Sequence, residues 1–140
     1  MKSRIIAPPP RLIIGVNIPK EKSDIISGLA AEENGRLVLC DNCGNEQVGY
    51  LCGFKGFKSS GKEPESISDE KFSEEILLFS GFDNKSLNRL LSQIRANGCG
   101  VKLKAIVTAS NQSWTVNALA EELLKEHKAM EKYQQERKSN

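Results

Sequence analysis

Two stretches of the chain alternate the same way between apolar runs and amphipathic stripes. LIIGVNI (Leu12 to Ile18) is an apolar run short enough for a buried strand. Pro19 then suits the first turn of a helix, where its missing N–H costs nothing. Ile25, Ile26, Leu29 and Ala30 follow at helical spacing and Gly35 gives the stop. RLVLC (Arg36 to Cys40) returns to strand-forming residues, and VGYLCGF (Val48 to Phe54) predicts a second short strand or a strand end.

The second stretch repeats the order. EILLFSGF (Glu75 to Phe82) predicts a strand, Asp83 an N-cap, and Leu87, Leu90, Leu91 and Ile94 a helix stripe ending at Asn97-Gly98. In VKLKAIVT, Val101, Leu103 and Ala105 alternate with Lys102 and Lys104 before Ile106 and Val107. LIIGV matches ILLFS, and Asn34-Gly35 is matched with Asn97-Gly98. The pattern predicts an α+β fold of ferredoxin-like kind, βαββαβ, made of two similar βαβ units with helices on one face of a small sheet. A small doubly wound sheet is the alternative.

A third helix follows the turn TASNQSWT. Thr115 is its expected N-cap, Trp114 packs on Leu119 as a hydrophobic staple, and Val116, Leu119, Ala120 and Leu123 face inward. The division expected is a flexible start (1–10), a first unit (11–54), a disordered linker (55–74), a second unit with the last helix (75–133) and a tail (134–140).

The segment from Glu75 to about Met130 resembles the bacterial family known as domain of unknown function 3783. The residues that carry the likeness are LLFSGFDNKSLNRLL and LKAIVTASNQSWTVNALAEELLKEH. They are similar to the family pattern of Leu-Lys-Ala, Thr, Asn, Trp-Thr and a closing Glu-His. The stretch Gly49 to Gly53 (GYLCG) looks like the weaker leading portion of such proteins. The resemblance implies no activity. The pair Cys40 and Cys43 stands outside the family pattern, so a metal site there would not be the family's common function.

Length and charge narrow the reading. A chain of 140 residues, 39% hydrophobic, suits one core, and 20 basic against 18 acidic residues leave a net charge of only +2. With 6% aromatic residues and no aromatic in LIIGV, nucleic acid is not the expected partner. Three prolines and Arg11 interrupt any apolar leader, and no run reaches the ~20 residues of a membrane span, so the expectation is a cytoplasmic protein without membrane contact. Cys40, Cys43, Cys52 and Cys99 are then expected as thiols or metal ligands rather than disulfides.

CDNCGNE (Cys40 to Glu46) holds the one Cys-x-x-Cys pair, with Cys43 as its second member. Structural zinc needs four ligands. Cys52 and Cys99 are lone residues and His127 lies far along a helix, so the reading is no metal site and no cofactor, Cys40 and Cys43 being the pair a metal would use. Gly44 and Asn45 follow where a thioredoxin-like redox pair would have a helix, which argues against redox catalysis.

The polar turn Thr108 to Thr115 is the expected ligand site, with Thr108, Asn111, Trp114, Thr115 and nearby Lys104 as its residues. Strand-to-helix junctions in α/β architectures bind ligands because helix N–H groups point outward there. The same residues have structural uses: Asn111 in an Asx-turn, Thr115 as cap, Trp114 as core anchor. No nucleophile has an identifiable base, and no phosphate loop is present. The expectation is a non-enzymatic module binding a small molecule or a protein. The alternative is a small enzyme with an anion pocket at the N-terminus of the last helix. Open sheet edges also suit a homodimer.

Overall fold

The computed structural model describes residues 10–40, 44–58 and 74–139, with side chains to Gln135. Its elements are β1 (Arg11–Val16), α1 (Lys20–Glu32), β2 (Gly35–Leu39), α2 (Val48–Leu51), β3 (Ile76–Ser80), α3 (Asn84–Ala96), β4 (Leu103–Ile106) and α4 (Val116–Ser139). The expected α+β class and the two βαβ units are present. The sheet order is β2-β1-β3-β4. Within each unit the two strands are parallel and adjacent, and the units meet through antiparallel β1 and β3.

Central position explains the composition of β1 and β3. Both faces of these strands are covered, so both read as continuous apolar runs rather than alternating ones. Ile13, Leu77 and Phe79 face one side, where α1 and α3 pack with Ile26, Ala30, Leu87, Leu90 and Ile94. Leu12, Ile14, Val16, Ile76 and Leu78 face the other, under Val48, Val116, Leu119 and Ala120. Helices therefore cover both faces of the sheet. The final helix supplies the second layer, which the sequence pattern did not place.

The two units are related by a near two-fold axis through the paired Ile14 and Leu78. Asn17 and Gly81 occupy matching positions after β1 and β3, and both have positive φ. Asn34 and Gly98 match after the two helices, again both with positive φ. The alignment of Asn34-Gly35 with Asn97-Gly98 is therefore shifted by one residue. A left-handed residue ends each helix, and asparagine tolerates that conformation where glycine stands in the other unit.

Three further expectations are corrected. VGYLCGF begins as the short helix α2, because its N–H groups are taken by carbonyls of a loop: Val48 donates to Trp114 O at 2.9 Å and Gly49 to Gln112 O at 2.7 Å. Val101 and Leu103 do not share a face. A bend at Lys102 precedes β4, placing Val101 with the α1/α3 core and Leu103 with the opposite one. Lastly, α4 runs through the stretch read as a tail, 24 residues long and so about 36 Å. Of the expected start (1–10) and linker (55–74), residues 1–9 and 59–73 lie outside the described residues.

Candidate functional site

The turn from Thr108 to Thr115 is built by its own polar side chains. Val107 N–H still belongs to the sheet, donating to Phe79 O at 2.8 Å. Asn111 then folds the chain back: its Oδ1 accepts from Thr108 N–H at 2.8 Å and its Nδ2 donates to Ile106 O at 3.0 Å. Thr108 Oγ1 returns the interaction by accepting from Asn111 N–H at 3.2 Å. Thr115 Oγ1 accepts from Ala118 N–H at 3.1 Å and so caps α4 as expected. Trp114 keeps 38% of its surface exposed, so it is not the core anchor that the sequence suggested.

The first N–H groups of α4 are also spent. Val116 N–H donates to Glu46 O at 3.0 Å and Asn117 N–H to Gly44 O at 3.1 Å. These bonds mirror those from Val48 and Gly49 to the other loop. The end of α4 is thus a seam between the units, with its orphan donors satisfied by backbone rather than held out for an anion. Lys104 is not part of this turn. Its Nζ donates to Val101 O at 2.7 Å, beside α3.

The cysteines separate. Cys40 matches Val107 in the two-fold relation, since Cys40 N–H donates to Gly15 O at 2.8 Å as Val107 does to Phe79 O. Cys40 is buried and disulfide-bonded, contrary to the thiol expected for it, and its sulfur supplies no thiolate for a metal. Cys43 lies outside the described residues. Cys52 and Cys99 are buried free thiols on opposite faces of the sheet. Burial pushes the Cys52 thiol up, against a hydrogen bond with Ser80 that pulls the other way. Among the described residues no three His, Cys, Asp or Glu side chains are placed to share a metal.

Among the described residues, three hollows are lined by charged residues. The largest, about 480 Å³ between α1 and α3, is crossed by a two-point ion pair in which Arg89 Nε and Nη2 donate to Glu33 at 3.0 and 2.8 Å. The second, about 310 Å³, holds Lys22 against Glu75 Oε1 at 2.6 Å. In both, opposite charges already satisfy one another. The third, about 190 Å³, lies between α3 and the start of β4. Leu91, Ile94, Gly100 and Val101 line it, and Arg95 and Lys104 stand at its rim with no acidic residue.

Sequence reasoning missed this third place. The signal was present: from Asn84 to Ala120 the chain carries Lys85, Arg89, Arg95, Lys102 and Lys104 and no acidic residue at all. An overall charge near balance concealed it. Next to the pocket, Ile106 is 54% exposed on an edge strand that pairs only with β3 among the described residues.

Fold and seam define a two-unit α+β protein whose second unit carries the polar turn and the cationic edge. Residues 75–130 match the model of the family described as Domain of unknown function (DUF3783). No curated protein and no solved structure matches the chain. Among the described residues, no helix is long and apolar enough to cross a membrane.

Proposed function

We propose that this protein acts by binding a protein partner rather than by chemistry, and that the outer edge of β4 is the contact surface. The observation that carries the reading is Ile106, a large apolar side chain left more than half exposed on a strand edge that is unpaired among the described residues. Such an edge is a template for pairing, which a protein covers or blunts unless it is used. The polar turn after it then has a positioning role, because Asn111 fixes the end of β4 by holding Ile106 O. A cytoplasmic setting fits this reading, and a second copy of the chain is one partner that an open edge admits.

The test is affinity capture with the intact chain and with Ile106→Glu side by side. Partners recovered by the first and lost by the second support the reading. Equal recovery by both, with the variant folded by circular dichroism, would remove this edge as the contact surface.

A further inference from the structure

From the geometry we infer that the β4 edge and its adjoining pocket receive an extended acidic segment of a partner protein. An aliphatic side chain enters the pocket and carboxylates meet Arg95 and Lys104. The inference rests on the interaction reading above and adds the chemistry of the partner.

Backbone direction comes first. Val107 N–H donates inward to Phe79 O, so with the two-residue period of a strand the groups of Leu103 and Ala105 also face β3. Those of Lys104 and Ile106 face away. Ile106 C=O is occupied by Asn111 Nδ2. Lys104 N–H, Lys104 C=O and Ile106 N–H are left to pair with an added strand.

The side chains complete a groove. Lys104 and Ile106 lie on the α3 face of β4, opposite Leu103, which belongs to the other core. A strand added along this edge would direct alternate side chains into the same space between β4 and α3. The pocket there, about 190 Å³, falls below the ~300 Å³ at which ordinary small-molecule sites begin. It suits one aliphatic side chain against Leu91, Ile94 and Val101.

Charge selects the sequence of the segment. Arg95 and Lys104 flank the pocket, and neither has an acidic partner among the described ion pairs. Carboxylates next to the aliphatic residue would meet both cations at the groove rim, which favours acidic partners and repels basic ones. A nucleic acid would use the same cations, but the apolar pocket and outward backbone groups would give it nothing, and among the described residues no aromatic side chain lines the pocket for a base to stack on.

The experiment uses the full chain, labelled with nitrogen-15, and a peptide of about eight residues alternating glutamate with valine and leucine. A lysine-for-glutamate peptide and a single-stranded oligonucleotide serve as comparisons. The expected result is saturable binding of the acidic peptide, with the amide signals of Lys104 and Ile106 among those that shift. Arg95→Glu, an exposed change, should weaken binding about tenfold, and Ile106→Pro should abolish it by removing an outward N–H. No binding of the acidic peptide, equal binding of the lysine peptide, tighter binding of the oligonucleotide, or no effect of Arg95→Glu would each overturn the inference. Partner capture that is lost in Ile106→Glu while the acidic peptide fails to bind would sink this chemistry and leave the interaction reading standing.

Discussion

Gln47 and Thr115 face each other across an isolated antiparallel bridge, each one residue before a helix. Around them run two pairs of matching hydrogen bonds, Val48 to Trp114 with Val116 to Glu46, and Gly49 to Gln112 with Asn117 to Gly44. The halves of the chain are therefore joined twice, by the β1–β3 ladder on one level and by this exchange of loops on another. Each half closes the other's helix start.

Cooperative unfolding follows from that double junction. Trp114 fluorescence and far-ultraviolet circular dichroism should give superimposable denaturation curves, since neither half keeps a complete core alone. Two separated transitions would show that the seam does not couple the units.

Glycines at two positions should respond in opposite directions to alanine. Gly81 has φ +85°, and a Cβ there would collide with the Pro10 carbonyl oxygen. Gly81→Ala should cost about 3 kcal/mol, a loss of roughly 10 °C in Tm. Gly28 sits in the exposed interior of α1 with open space around it. Gly28→Ala should stabilise by about 0.5–1 kcal/mol. Calorimetry of both variants checks the pair.

Acid should loosen the corner where the units are clamped by charge. Arg89 donates to Glu33 and holds its carboxyl below the usual 4.5, while the Ser86 N–H and hydroxyl hold Asp83 below 3.8, with Arg11 at 3.2 Å assisting. Both carboxyls have lowered values in the fold, so their stabilisation is present above the unfolded values and is lost as pH falls through the folded ones. Tm should hold steady above about pH 5 and decline below about 4.5. In the double variant Glu33→Gln, Asp83→Asn the decline should be shallower. An unchanged slope would assign acid sensitivity to other carboxyls.

Asn111→Ala tests what the polar turn is for. Two side-chain hydrogen bonds tie Asn111 to Thr108 and Ile106, so the variant should lose about 1–2 kcal/mol and release the end of β4. Faster amide exchange at residues 105–108 is the expected signature. A stable variant with native exchange would point instead to the small-ligand role first suggested by this cluster of hydroxyl and amide groups.

Much of the architecture was legible because it rests on local periodicity and punctuation. Short apolar runs marked β1 and β3, Asp83 and Thr115 announced the starts of α3 and α4, and the repeated order revealed two βαβ units. The error at Asn34 is instructive. Asparagine and glycine both tolerate positive φ, so the motif Asn-Gly alone did not say which of its residues turned the chain.

What the sequence by itself determined is therefore the units, their caps and the likeness of residues 75–130 to a family model, since each is carried by residues near one another along the chain. Only the tertiary structure decided the rest. It made α2 a helix, because the carbonyls that hold Val48 and Gly49 come from Trp114 and Gln112, far away in sequence. It brought Arg95, Lys104 and Ile106 to one edge, because α3 meets the start of β4 and, among the described residues, the outer side of that strand pairs with no other. Contacts that join distant residues depend on how the units pack, and periodicity within either unit does not encode them.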